Sequence, residues 1–280
     1  IYISLVNNKE DLSNQINDLD KNLDSIWQEK LKADAAKAAQ ASSAPVSNSP
    51  GSGYSRITVQ TDRGSFVTDI IKASLSNTKV VTVTGNDGNC DNNCVAKPLA
   101  QYISENSGFA GINGSYFCPP DYPSCSTRIY SYDFPVYSSI HNKWINADKL
   151  FWNDRGMAAF QGSNPRFCAS ANSCDSGGVS AGIINYPTLV SGGNVSVNEG
   201  GLPDTLTQNK GLRGSIGVGG DQVFLAIIRG ATVTDAAHVM KSIGAQHALN
   251  LDGGGSSALY YNGYKVGPGR LLPNAIVLKN

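Results

Sequence analysis

Six consecutive residues, Asp252-Gly253-Gly254-Gly255-Ser256-Ser257, combine the groups needed to hold an anion beside a reactive carboxylate. Three adjacent glycines reach backbone angles that other residues avoid, and they let a ligand approach the main chain. Successive N–H groups in such a turn form a concave anion site. Ser256 and Ser257 add two hydroxyls, and Asp252 supplies a base or nucleophile at the end of an apolar run, Ala248-Leu249-Asn250-Leu251. A second apolar run follows at 258–261, so the bland version of this pattern is a glycine-rich hairpin with a capping Asp.

Two further segments carry candidate site residues. In Gly111-Ile112-Asn113-Gly114-Ser115-Tyr116-Phe117, Asn113 can bond a ligand hydroxyl, and Tyr116 or Phe117 offers an aromatic face to a sugar ring. The same stretch also reads as an Asn-Gly turn, and Asn113 opens a glycosylation sequon. In Leu212-Arg213-Gly214-Ser215, Arg213 precedes a β-like run and suits a two-point grip on phosphate; a surface arginine is the plainer alternative. The histidines, His141, His238 and His247, are scattered. No P-loop lysine or His-x-x-x-His pair occurs, which removes NTPase and zinc-protease readings. No cofactor is expected; a divalent metal stays open as an alternative, although spacing assembles no ligand set for it.

The elements that must position these residues read as follows. Short β-branched runs at 57–61, 79–84, 180–184, 223–228 and 274–278 predict strands. Pro98 and Gly108 bracket a helix over 96–106. Thr232 and Asp235 form a capping pair for a second helix ending before Gly244. The fold class expected is therefore α+β, a mixed β-sheet core with packed helices.

Ahead of it, Leu12, Ile16, Leu19, Leu23 and Ile26 alternate spacings of four and three. That stripe reads as a short coiled coil or a single amphipathic helix. Residues 1–41 are expected to be a helical stalk that self-associates or holds an assembly partner. Ser42 to Ser55, rich in Ser, Pro and Gly, reads as a linker, and 56–280 as the head.

Composition limits the function. Lys plus Arg and Asp plus Glu both number 22 in 280 residues, so no net field favours nucleic acid. No apolar run is long enough to span a membrane, and an export segment is expected outside the chain because no signal peptide is visible. The six cysteines fall into close pairs, Cys90/Cys94, Cys118/Cys125 and Cys168/Cys174, each in a polar loop. Three local disulfides are the preferred pairing and point to an oxidising compartment, extracellular or at the cell surface.

Taken together, the blocks at 113–117, 189–193, 213–217 and 251–257, with Pro273-Asn274-Ala275-Ile276, resemble the phosphodiester glycosidase family. The resemblance runs from about Val80 to Lys279, with 118–175 read as a disulfide-rich insertion. It implies a hydrolase that cleaves a sugar 1-phosphodiester, releasing sugar and a phosphomonoester, with a surface glycan as one substrate source. Asp252 would activate water or stabilise an oxocarbenium-like centre. Arg213, the amides of Gly253, Gly254 and Gly255, and Ser256 and Ser257 would hold the phosphate, while Asn113 would orient the sugar. The alternative is a structural or adhesive subunit of a surface assembly built on the same fold.

Overall fold

A computed structural model describes residues 46–48, 50–132, 134–149 and 155–280. The expected stalk, its self-association and its coiled coil lie outside the described residues. The unit Pro45–Asn280 is built from three antiparallel sheets.

The first sheet has seven strands, in the order Gly53–Thr61, Gly64–Ser74, Gln222–Ala231, Gly211–Gly219, His247–Asn250, Thr188–Ser191, Asn194–Val195. The second runs Tyr264–Val266, Leu259–Tyr261, Ala110–Asn113, Asn274–Lys279, Lys79–Thr84. The third runs Lys143–Ile145, Val136–Ser138, Ala181–Asn185, Gly156–Gln161, Asn164–Cys168. Residues 118–175 thus contribute four of its five strands. Val136, Phe160 and their neighbours pack in the same central core as Ile112 and Ile227, so this segment belongs to the body of the fold.

Alternation along the strands sets the layers, because successive side chains leave opposite faces of a sheet. Leu225 and Ile227 enter the central core between the sheets, whereas Phe224, Ala226 and Ile228 face the other way. That outer face is covered by the helix Val233–Ser242, whose buried Ala236, Ala237, Val239 and Met240 fill it. Thr232 and Asp235 close a reciprocal capping box at its start, as their spacing predicts.

The expected α+β class with packed helices is corrected: the head is predominantly β. Among the described residues only three α-helices occur, Leu99–Glu105, Asp204–Thr207 and Val233–Ser242, of seven, four and ten residues. No two of the named strands pair in parallel, so the sheets are not mixed. The helix expected over 96–106 shrinks to two turns because Pro98 stands at its N-cap and Gly108 folds back onto Ile103. Strands such as Gly211–Gly219 escaped the pattern because glycine is depleted in strands generally. At Gly214 it is required: a Cβ there would stand 2.7 Å from the carbonyl oxygen of Asp252.

Candidate functional site

The loop 251–258 is a crossover between sheets and not a hairpin. It leaves the strand His247–Asn250 of the first sheet and enters Leu259–Tyr261 of the second. Its backbone is tied to both: the Leu251 N–H donates to the Gly214 carbonyl (2.8 Å), and the Asp252 N–H to that of Gly114 (3.0 Å). Gly254 begins a 3-10 turn with φ +56, a left-handed angle that glycine adopts without strain. The Ser256 and Ser257 N–H groups close that turn on the Gly253 and Gly254 carbonyls. The Gly253 N–H donates to Asp252 Oδ1 at 2.8 Å. The N–H groups of Gly254 and Gly255 make no hydrogen bond among the described residues, and both glycines are exposed.

Among the described residues, Asp252 is the carboxyl whose pKa is strongly raised. Enclosure of its carboxyl pushes its pKa up from 3.8 to about 6, against the opposing pull of a Ser256 hydrogen bond, the Gly253 N–H and the charges of Arg270 and Arg213. A carboxyl poised near neutrality in a glycine loop is suited to proton transfer. Arg270 donates from Nη1 to Ser256 Oγ (3.3 Å) and grips Asp121 through Nε (2.9 Å) and Nη2 (2.5 Å). Asp121 lies within the loop closed by Cys118–Cys125, so a disulfide loop steadies the arginine nearest the turn.

All three expected local disulfides are formed: Cys90–Cys94, Cys118–Cys125 and Cys168–Cys174. Removing the second, as Cys118→Ser with Cys125→Ser, should cost about 2 kcal/mol in denaturant unfolding, because such a short closed loop constrains the unfolded chain only modestly. It should also weaken the Arg270 anchor. An unchanged KM and unchanged stability would show that this loop does not support the site.

The other expected residues take the following places. Arg213 comes beside Asp252 and Tyr116, and burial lowers its pKa. One edge of its guanidinium is engaged on backbone, with Nε on the Ala231 carbonyl (3.1 Å) and Nη2 on those of Thr205 (3.2 Å) and Asn209. Only Nη1 makes no hydrogen bond among the described residues. Asn113 is fully buried; its Nδ2 donates to the Asp252 carbonyl (2.8 Å) and its Oδ1 accepts from the Ala258 N–H (3.1 Å). Both ends of the amide therefore clamp the loop, and the sequon nitrogen is inaccessible in the folded head. Tyr116 OH accepts from Asn250 Nδ2 at 2.7 Å, and its pKa is raised by burial and then by the Asp252 charge. Phe117 stacks on Tyr130 with ring centroids 6.0 Å apart and is partly buried against the core clusters that hold Leu251 and Ala258. Ser257 Oγ and Asn250 Oδ1 are buried without a hydrogen-bond partner among the described residues.

Sequence reasoning missed several contributors. Asn185 Nδ2 donates to the Asn250 carbonyl (2.9 Å), and Asn274 Oδ1 accepts the Ser115 N–H (2.9 Å). With Asn113 and Asn250 they make four buried asparagines at strand ends around the loop. Tyr186 packs on Tyr116 (5.4 Å between centroids), and the Arg155 guanidinium stands 4.4 Å from the Tyr186 ring centroid. Arg155 and Tyr186 also line a pocket of about 350 Å³ with Thr188, Ser196 and Asn198. Buried asparagine in a strand pattern was the one signal available for the first two. Among the described residues, no three His, Cys, Asp or Glu side chains come together to hold a metal.

Fold and site together define a head of antiparallel β-sheets that presents a half-buried carboxylate on a glycine turn flanked by arginines. The phosphodiester glycosidase family model matches residues 107–279, and the chain belongs to that family. Its fold is similar to the catalytic domain of zebrafish N-acetylglucosamine-1-phosphodiester alpha-N-acetylglucosaminidase, auto-inhibited by its pro-peptide, with TM-score 0.63 at 16% identity over 85% of this chain and 86% of that one. It is also similar to a hypothetical protein from Synechocystis, with TM-score 0.54 at 13% identity over 80% of this chain, which spans 61% of that protein. No curated protein matches the sequence.

Proposed function

We propose that this chain is an extracellular or cell-surface hydrolase that cleaves a sugar 1-phosphodiester between the anomeric carbon and the phosphate oxygen. Water adds to the anomeric carbon as that C–O bond breaks. The phosphomonoester leaves with the bonding electron pair, and the proton of the water passes to Asp252. A phosphate leaves as a stable anion, so a second carboxyl acting as acid, usual in glycosidases, is not needed. The observation that carries the reading is Asp252 itself, a carboxyl held near neutrality beside the two exposed amides of Gly254 and Gly255.

In this reading those amides, Arg270 and Nη1 of Arg213 receive the phosphate, with Ser256 and Ser257 lining the turn. Asn113 positions the loop from behind. Tyr116 links the loop to Tyr186 and its pocket, which receives the sugar or its aglycone.

The test is sugar release from a panel of sugar 1-phosphodiesters across pH. A base must be ionised to act, so kcat/KM should rise with pH through a midpoint of about 6, the value to which burial pushes Asp252. Activity that instead falls above that midpoint would make Asp252 an acid and overturn the assigned role. No release from any member of the panel would remove the activity altogether.

A further inference from the structure

One short segment joins the Tyr186 pocket to Arg213. Asn198, Gly201, Leu202 and Pro203 form part of the pocket wall, together with Tyr186 and Thr188. Pro203 then opens the helical turn Asp204–Thr207, its carbonyl accepting the Leu206 N–H at 2.9 Å. In and just after that turn, the carbonyls of Thr205 (3.2 Å) and Asn209 accept from Arg213 Nη2. A residue of the pocket wall thus stands two positions from an anchor of the guanidinium that neighbours Asp252.

Few contacts fasten this segment to the sheets. Among the described residues, its backbone hydrogen bonds close on themselves: Gly201 on Asn198, Leu202 on Glu199, Leu206 and Thr207 on Pro203. Leu206 is its one buried side chain there, seated in the core layer of the helix Val233–Ser242. Glu199 reaches Arg63 at 3.4 Å, but both side chains are exposed and such a pair holds little. A stretch with so little buried opens at low cost.

Arg213 depends on the segment in turn. Of the three carbonyls that hold its guanidinium, only that of Ala231 belongs to a strand. Arg213 also follows a register shift in its own strand, so the ladder does not fix its place by itself. A ligand group that fills the pocket packs against Leu202 and Pro203 and removes the freedom of the segment. The carbonyls of Thr205 and Asn209 then stay on Nη2, and Nη1 is kept for the phosphate. Contact made in the pocket is thereby expressed as turnover more than as affinity.

We infer that Leu202 and Pro203 are specificity-determining residues, and that residues 198–209 relay the fit of a group in the pocket to Arg213 through the carbonyls of Thr205 and Asn209. This rests on the reading of the Asp252 loop and the Tyr186 pocket as one sugar-phosphodiester site.

The experiment measures Pro203→Gly on the best substrate of the panel, in the parent chain and in an Arg213→Gln background. In the parent, kcat should fall about tenfold while KM stays within about twofold. In the Arg213→Gln background no further fall should occur, because both changes act through one group. Leu202→Ala should give the same pattern if the variant at 203 does not fold. An unchanged kcat, with or without a raised KM, or losses that multiply in the double variant, overturns the relay. If the parent cleaves no member of the panel, the catalytic reading fails on its own, and inorganic phosphate is titrated instead. Pro203→Gly must then weaken phosphate binding in the parent and leave it unaltered in Arg213→Gln; any other result overturns the relay.

Discussion

Asp252→Asn should lower turnover of a sugar 1-phosphodiester by about three orders of magnitude, within the range for removing a positioned base. The same change should make the head more stable at pH 7. Burial raises the Asp252 pKa from 3.8 to about 6, so the folded state binds the proton more tightly than the unfolded chain. Stability is then greatest below the unfolded value and declines as pH rises from about 4 to 6. A shift of that size corresponds to at most about 3 kcal/mol lost by neutral pH. Asparagine carries no charge to bury, so the variant should unfold at higher denaturant at pH 7, and the gap should close below pH 4. Such a trade of stability for function is common at active sites. An active variant, or one less stable than its parent at pH 7, would contradict the assignment.

Asn113→Ala should have the largest effect on stability. Its amide satisfies the Asp252 carbonyl and the Ala258 N–H, both at the closed junction of two sheets. Alanine leaves a buried acceptor and a buried donor unpaired, and each orphan costs about 1–3 kcal/mol. A loss of about 4 kcal/mol in denaturant unfolding is expected. A roughly hundredfold fall in kcat should accompany it, since small misplacements of a reacting group are costly. A direct sugar contact would behave differently, raising KM while leaving stability within about 0.5 kcal/mol of the parent. That second outcome would return Asn113 to the sugar-orienting role suggested by its place in the sequence.

The contrast between these two residues shows what kind of information each segment carried. The glycine turn that carries Asp252 was legible because its shape depends on local backbone freedom, which residue type states directly. The cysteine pairs were legible for a similar reason, since a short loop brings its own ends together. The capping box at Thr232 and Asp235 is likewise local. Arg213 was legible as a candidate but not in its bonding. Its Nε and Nη2 are engaged by carbonyls of residues 231, 205 and 209, which no spacing rule brings together. The fold class was misjudged for a related reason. Gly214 looks like a strand breaker until Asp252 is packed against it.

By itself, then, the sequence determined the glycine turn, its acid, the three disulfide loops, the capped helix Val233–Ser242 and the family, all features encoded within short stretches of chain. Only the tertiary structure decided that the turn is a crossover between sheets and that Asn113 is a clamp. It also decided that Arg270 approaches from 14 residues beyond Ser256 and that one short segment both walls the Tyr186 pocket and holds Arg213. The physical reason is burial. The pKa of Asp252, the engagement of each amide and the anchoring of Arg213 depend on what surrounds a group once water is excluded, and antiparallel sheets assemble those surroundings from distant parts of the chain.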